Sequence, residues 1–163
     1  MNQQEHEGFE ELIRTCGRSM FRAARAVLDS DADAEDAVGE AVLRAWRAYP
    51  RLKNREAAHS WLLKITVNCA REQSRRRRRE VPLEELEPAA SSHPAQEPSS
   101  LWQAVQALPQ DQRLAVILYY YEDMPVAETA RVLGVPQGTV KSRLARGRDK
   151  LRQILKEDEY EQL

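Results

Sequence analysis

The sequence is poor in cysteine and glycine, and it contains no long apolar run. Its two cysteines, Cys16 and Cys69, lie in neither a CxxC nor a His-rich spacing, which argues against a zinc site and a secreted disulfide scaffold. Six glycines without a Gly-rich loop argue against a Rossmann or P-loop nucleotide-binding domain. No apolar run approaches the roughly 18 residues that a membrane-spanning helix needs. We therefore expect no metal, no cofactor and no direct membrane insertion.

The N-terminal residues are acidic and polar, so we expect no signal peptide and a cytoplasmic location. A chain of 163 residues allows one domain or two small ones. A formal net charge of −1 hides a strong segregation of charge along the chain. Residues 1–79 carry 16 basic and 12 acidic groups, whereas residues 80–98 carry five glutamates and no basic group. Two basic clusters therefore flank one acidic segment, and such asymmetry is informative about binding partners.

The acidic segment is rich in Pro, Ser, Ala and Glu and has no sustained apolar period, which predicts a flexible linker. Apolar residues on either side recur at helical spacing, and no stretch alternates for long enough to be a strand. The sequence therefore predicts an all-α fold of two small helical domains joined by a flexible acidic linker. The predicted divisions are a first domain at 1–79, the linker at 80–99, a second domain at 100–156 and a frayed acidic tail at 157–163.

The predicted helices follow from the apolar period and from its interruptions. A first helix ends near Asp29, and Asp31 or Asp33 is expected to cap a second helix that Pro50 stops. A third helix is expected from about Ser60 to Arg78, with Ala58, Leu62, Ile65 and Cys69 pointing inward. In the second domain we expect helices near 100–107, 110–121, 125–133 and 137–155.

A helix-turn-helix motif is predicted near the C-terminus. Gly134 can end a short helix in the left-handed conformation, and Val135-Pro136 then turns the chain into a basic second helix. Four residues of this helix lie opposite its apolar face and suit the major groove of duplex DNA, with Arg143 and Arg148 on the flanks as phosphate contacts. The four are Lys141, Ser142, Ala145 and Arg146. A solvated basic face on a helical hairpin is the alternative.

A second candidate DNA surface lies on the third helix and on the loop before it. An aromatic ring beside cations and an amide is typical of proteins that stack exposed bases and hold a single-stranded backbone. The loop could form the wall of a pocket for an unstacked base. The candidate residues are Lys53, Asn54, His59, Trp61, Lys64, Asn68, Arg71 and Arg75. Trp61 as a core residue, and the run Arg75–Arg79 as a polybasic membrane or nuclear-type patch, are the alternatives.

The second helix carries an outward leucine among charged residues, which favours a protein contact. This face comprises Asp36, Gly39, Glu40, Leu43 and Arg47. The neighbouring acidic cluster lacks the Gly and Glu of an EF-hand, so we reject calcium binding. The histidines have no Cys or Ser partner in a recognisable motif, so no catalytic residue is predicted. The two cysteines are interpreted as small core residues, with a redox pair as the alternative.

These segments, in this order, resemble the extracytoplasmic-function (ECF) sigma factors, the promoter-specificity subunits of bacterial RNA polymerase that belong to the sigma-70 family. The resemblance covers about residues 9–155 and is carried by Asp31–Leu52, His59–Glu72 and Val105–Arg152. It implies a non-enzymatic protein without a small-molecule substrate. Its alternatives are a dimeric helix-turn-helix regulator with an N-terminal sensor domain and, with thinner support, an enzyme.

The resemblance also implies partners for each surface. The Asp36–Arg47 face would dock on the β′ clamp helices of core RNA polymerase, and the second domain would sit on the β flap. The third helix and its loop would hold the melted −10 element, the final helix would recognise the −35 element as duplex, and the linker would run through a polymerase channel. An anti-sigma factor anchored in the membrane is the further expected partner, which would hold the protein at the inner face of the membrane when inactive.

Overall fold

The computed structural model describes residues 1–80 and 99–161, and side chains as far as residue 157. The chain divides into two compact units, Met1–Ser92 (unit 1) and His93–Leu163 (unit 2). All regular structure in the described residues is helical, which confirms the predicted all-α class. The predicted linker lies almost entirely outside the described residues, as do the last two residues of the tail. The exact domain boundaries stay predictions.

Unit 1 is built from three long helices: α1 (Gln3–Val27), α2 (Asp31–Ala48) and α3 (Ala58–Glu80). Each of the three packs against the other two. Alanines form most of the buried face of α2 and part of the buried C-terminal half of α1, and the small side chain lets helix backbones approach closely. The fully buried alanines of these two helices are Ala23, Ala24, Ala26, Ala34, Ala37, Ala41 and Ala45.

Two predictions about unit 1 need correction. The cap of α2 is Ser30, whose hydroxyl accepts the N–H of Asp33 at 3.1 Å, whereas Asp31 is already the first helical residue. The Asp31 carboxylate instead accepts a hydrogen bond from Arg25 Nε at 2.9 Å. The inward face of α3 is also wider than the predicted one. In addition to Ala58, Leu62 and Cys69, it buries Leu63, Thr66, Val67 and Ala70, while Ile65 is only half-buried.

The segment between α2 and α3 is ordered by two short 3-10 turns, Tyr49–Arg51 and Arg55–Ala57. Asn54 caps the second turn, because its side-chain oxygen accepts the N–H of Glu56 at 3.1 Å. The turn leads directly into α3, which therefore begins two residues earlier than the predicted Ser60. This short connection fixes the loop at 52–57 beside the first turn of α3.

The described part of unit 2 contains four α-helices: α4 (Ser100–Gln106), α5 (Gln110–Val116), α6 (Val126–Leu133) and α7 (Gln137–Glu161). One π-helical turn, Ile117–Tyr121, continues directly from α5. The branched and aromatic residues at 116–121 are therefore helical, as the helix predicted near 110–121 requires. The core of the unit includes Leu114, Ile117, Leu118 and Val140.

The predicted turn of the helix-turn-helix motif is confirmed. Gly134 adopts a left-handed conformation (φ 69°, ψ 37°), and its N–H donates to Ala130 O at 2.8 Å. The next N–H, that of Val135, donates to the same carbonyl at 3.1 Å. The backbone carbonyl that the end of α6 would leave unpaired is thus satisfied twice, and the chain reverses into α7.

Farther along α7, Gly147 permits a close approach to α5. A Cβ at this position would lie 2.9 Å from Val116 Cγ2, which is closer than two carbon atoms tolerate. The absence of a side chain therefore lets α7 lie directly on α5, and this contact sets which face of α7 is left open.

Candidate nucleic-acid and protein interfaces

The exposed face of α7 carries the predicted major-groove residues. Lys141, Ser142, Ala145 and Arg146 are all exposed, while Val140 and Leu144 on the other side are buried. The helix therefore presents two cations, a hydroxyl and a methyl group to solvent over two turns. Cations and a hydroxyl are the groups that hydrogen-bond base edges in the major groove.

The two flanking arginines of α7 differ from this exposed set. Arg143 is half-buried, and its Nε lies 3.8 Å from Asp111 Oδ2. Arg148 is also half-buried, and its Nη1 donates to the hydroxyl of Tyr120 at 3.2 Å. Both side chains are thus partly engaged within unit 2, which sequence spacing alone did not indicate.

Arg148 belongs to an open apolar groove of about 480 Å³ in unit 2. The groove lies between α4, the π-helical turn and the distal half of α7. Leu101 and Tyr120 are each 48% exposed, which is high for such large apolar side chains. The lining comprises Leu101, Val105, Val116, Tyr120, Tyr121, Arg148, Leu151, Arg152 and Leu155. An apolar floor with arginines suits a partner segment that is apolar with acidic flanks.

On α3, the structure brings five of the predicted single-strand residues onto a common side, with different exposures. Lys64, Asn68 and Arg75 are exposed, whereas Trp61 and Arg71 are half-buried. The Trp61 ring centroid lies 6.3 Å from that of Tyr49, so part of the indole packs on the bundle. One part of the indole is thus packed and the remainder is accessible, which is compatible with both of the alternatives for Trp61.

The loop before α3 exposes Lys53 and Asn54 and is held in place by Arg55. The guanidinium carbon of Arg55 lies 3.9 Å from the centroid of the Tyr49 ring, and its Nη2 lies 3.9 Å from Glu5 Oε1. The aromatic face and the carboxylate both attract the positive charge of the guanidinium. Arg55 is therefore a loop anchor that the sequence did not single out.

His59 is half-buried at the start of α3, and its Nδ1 lies 3.2 Å from Sγ of the buried Cys16 on α1. This contact joins the two helices beside the loop. The second cysteine, Cys69, is a buried residue of α3, and burial raises the pKa of its thiol. Both cysteines are free thiols in core positions, as the sequence favoured.

The outward face of α2 is open at four of its five predicted positions. Asp36, Gly39 and Arg47 are exposed, and Leu43 is 52% exposed. Glu40 is half-buried, and its carboxylate accepts a hydrogen bond from Arg44 Nε at 3.1 Å. The face therefore presents an apolar centre with charged residues around it, which is typical of a protein contact.

Arg44 links this face of α2 to α3. Besides Glu40, its guanidinium donates to both oxygens of Glu72, at 2.7 and 3.3 Å. The hydrogen bonds to Glu72 and then to Glu40 raise the pKa of Arg44, and the hydrogen bond from Arg44 lowers the pKa of Glu72. The network fixes α2 against the middle of α3, although it contributes little to stability because the three half-buried side chains remain 38% to 45% exposed to water.

At the far end of α3, the arginine run is divided between an internal ion pair and solvent. Arg77 Nη1 donates to Asp33 Oδ1 at 2.7 Å, and Gln73 Nε2 donates to Asp33 O at 2.9 Å. Arg75, Arg76 and Arg78 are exposed. The N-terminus of α2 thus orients the end of α3, and the remaining cations are available to a polyanion.

The described residues, 1–80 and 99–161, contain no helix of the length and apolarity needed to cross a membrane. They also contain no group of three or more His, Cys, Asp or Glu side chains arranged to hold a metal ion.

Each unit matches a known family model. Residues 12–80 match the family model described as Sigma-70 region 2, and residues 99–151 match the one described as Sigma-70, region 4. These matches coincide with the three-helix bundle and with the unit that contains the helix-turn-helix motif.

Full-length relatives are similar over nearly the whole chain. The ECF RNA polymerase sigma factor SigM of Mycobacterium tuberculosis is 37% identical over 90% of this chain and 76% of its own length. The RNA polymerase sigma-E factor of Streptomyces avermitilis is 32% identical over 90% of this chain and 84% of its own length.

Solved structures give the same result. The sigma factor RpoE of Bartonella quintana, determined in complex with the anti-sigma factor NepR, matches with a TM-score of 0.79 and 28% identity, over 91% of this chain and 96% of its own. CnrH, in complex with the cytosolic domain of CnrY, matches with a TM-score of 0.65 and 25% identity, over 92% and 88% of the two chains.

Proposed function

The chain belongs to the ECF RNA polymerase sigma factors of the sigma-70 family, and we propose that it contacts promoters at two separate elements. Sigma factors are promoter-specific transcription initiation factors and not enzymes. In this proposal, unit 2 recognises the −35 element as duplex DNA, and unit 1 holds the −10 element as a melted strand. The observation that carries the proposal is that each unit exposes basic and polar residues on the side of a long helix opposite its buried face.

The −35 assignment rests on α7. Its N-terminal half follows a helix-turn-helix turn, and Lys141, Ser142, Ala145 and Arg146 all face solvent. An arginine can bond two acceptors of a guanine at once, and an alanine leaves room for a thymine methyl group. Arg143 and Arg148, which are partly engaged with Asp111 and Tyr120, contact phosphates in this proposal and set the register.

The −10 assignment rests on α3 and its loop. The exposed Lys64, Asn68 and Arg75 follow one another along α3, and the accessible part of Trp61 lies one turn before them. Base stacking on an aromatic ring contributes roughly 1–3 kcal/mol per base. Duplex DNA costs on average about 1.4 kcal/mol per base step to open, so capture of one or two bases biases the start of melting. Lys53, Asn54, His59 and Arg71 complete this surface in the proposal.

Core polymerase contacts are assigned to two apolar surfaces. The exposed Leu43, with Asp36, Gly39, Glu40 and Arg47 around it, is the proposed contact with the β′ clamp helices. The groove of unit 2 is the proposed contact with the β flap, since it combines exposed Leu101 and Tyr120 with an apolar floor. Both assignments follow the family resemblance and fit the unusual exposure of these side chains.

An anti-sigma factor is the further proposed partner. Two of the similar solved structures are complexes, one of RpoE with the anti-sigma factor NepR and one of CnrH with the cytosolic domain of CnrY. Such a partner would compete with polymerase for the same surfaces. Action in the cytoplasm, and retention at the membrane by an anchored partner, are the corresponding proposals for location.

The proposed function is tested directly by run-off transcription with purified bacterial core polymerase on a randomised promoter library. We expect transcripts only when the chain is added, and we expect the enriched promoters to share two short motifs at a fixed spacing. Palindromic enrichment, or specific DNA binding that is independent of polymerase, would instead identify a dimeric helix-turn-helix regulator.

Lys64→Ala should impair promoter opening more than promoter binding, because an exposed cation on α3 contacts only the melted strand in this proposal. Permanganate footprinting of unpaired thymines should fall several-fold, whereas closed-complex affinity at low temperature should change little. Arg14→Ala, which removes an exposed cation on α1, is the matched control and should affect neither measurement. Equal losses of opening and binding in Lys64→Ala would contradict the division between the two units.

Arg146→Ala should weaken −35 recognition by about 1–3 kcal/mol, because it removes a base-edge contact. The measurement is the ratio of affinities for the selected −35 sequence and for single-base variants of it. Lys156→Ala removes another exposed cation of α7, farther along the helix, and should leave this ratio unchanged. An unaltered ratio in Arg146→Ala would show that Arg146 does not recognise bases.

Leu101→Glu should lower the affinity for core polymerase by roughly tenfold, since burial of one leucine contributes about 1.5–3 kcal/mol. The side chain is 48% exposed, so the fold should be retained. Gln103→Glu places the same charge on an exposed position of the same helix and serves as the control. Equal affinities for the two variants would exclude the groove as a polymerase contact.

A further inference from the structure

The two buried cysteines of unit 1 differ in their surroundings. Cys16 is 3% exposed and Cys69 is 2% exposed, so both have the burial of core residues. Cys16 Sγ lies 3.2 Å from His59 Nδ1, within the range of a sulfur hydrogen bond. Within the described part of the chain, Cys69 has no corresponding hydrogen bond. The burial of Cys69 is explained by packing alone, whereas Cys16 also contacts a polar ring.

His59 lies close to the loop that precedes α3. His59 is the second residue of α3, directly after the 3-10 turn Arg55–Ala57, and its ring is only half-buried. The exposed Lys53 and Asn54 precede that turn. The imidazole therefore lies where the loop joins α3, with one nitrogen directed into the bundle toward α1.

A hydrogen bond at one imidazole nitrogen constrains the other. It fixes the rotation of the ring, and it influences which nitrogen carries the proton in the neutral form. Because Cys16 lies on α1 and is buried, its position is set by the packing of the core and not by the loop. The thiol thus provides a fixed hydrogen-bonding group that orients the imidazole.

We propose that Cys16 is a positioning residue for the −10 surface: its thiol holds the His59 imidazole in the orientation that contacts a base or phosphate of the separated strand. This inference rests on the proposed function of unit 1. It assigns the thiol a structural task in DNA binding and no redox chemistry. Cys16 itself does not touch DNA, because the core covers it.

The first test is spectroscopic and requires no DNA. In the full-length chain labelled with 15N-histidine, Cys16→Ala should change the Nδ1 chemical shift and tautomer pattern of His59. Cys16→Ser, which retains a hydrogen-bonding group, should restore most of the wild-type pattern. Cys69→Ala is the matched control, since it truncates an equally buried cysteine, and it should leave the His59 resonance in place. An unchanged His59 resonance in Cys16→Ala would overturn the proposal.

The second test measures strand binding by holoenzyme reconstituted with core polymerase. The probe is a single-stranded oligonucleotide that carries the −10 motif selected from the promoter library. Cys16→Ala should weaken binding roughly two- to tenfold, as expected for one lost hydrogen bond. Cys16→Ser should recover most of this loss, and Cys69→Ala should show none. The double variant Cys16→Ala/His59→Ala should bind no more weakly than His59→Ala alone, because the thiol acts through the ring.

Failures of the two proposals are distinguishable. If His59→Ala weakens strand binding but Cys16→Ala does not, the positioning role is wrong and the −10 assignment stands. If His59→Ala binds like the wild type while Lys64→Ala is defective, His59 lies outside the DNA surface, and the inference fails with it. If His59→Ala and Lys64→Ala both bind the strand normally, the assignment of α3 to the melted strand fails.

Discussion

The architecture of unit 1 depends on the packing of three helices, each of which buries one face against the other two. Alanines form most of the buried face of α2, whereas α1 and α3 combine alanines with larger core residues. A helix that buries one face in this way leaves the opposite face to solvent. The open sides of α2 and α3 carry the candidate polymerase and DNA contacts. The positions of these surfaces thus follow from which face each helix buries.

The sequence was sufficient to predict features that depend on helical period and local turn chemistry. The helices α1 to α7 of the described residues, the left-handed Gly134 and the exposed face of α7 all follow from residue spacing. The exposure of Leu43 also follows from residue spacing, because Leu43 lies on the side of α2 opposite the buried alanines. These features are local, so they can be read from residues three and four positions apart.

Features that depend on contacts between distant residues could not be predicted in this way. The choice of Ser30 over Asp31 as the cap depends on Arg25, which engages the Asp31 carboxylate. The Arg55 anchor joins residues 50 positions apart, and the His59 contact joins residues 43 apart. The groove of unit 2 requires three segments to meet, so a periodic pattern in any one of them does not reveal it. Each of these features depends on contacts between side chains that are distant in sequence, so the local sequence pattern does not distinguish it from the alternatives.

The π-helical turn at Ile117–Tyr121 is a place where the chain holds one residue more than a regular helix needs. Ile117 O accepts the N–H of Glu122, five residues on, whereas an α-helical carbonyl accepts from the fourth residue on. Beyond this turn, the Tyr121 ring packs edge-on against Trp102 of α4, with centroids 5.2 Å apart. Loss of a single residue within the turn would leave an ordinary α-helical turn, so the chain beyond it could keep nearly the same direction relative to α5. A one-residue deletion at this site in a related protein would therefore be compatible with the same second domain, whereas a deletion inside α5 itself would rotate the residues that follow by about 100°.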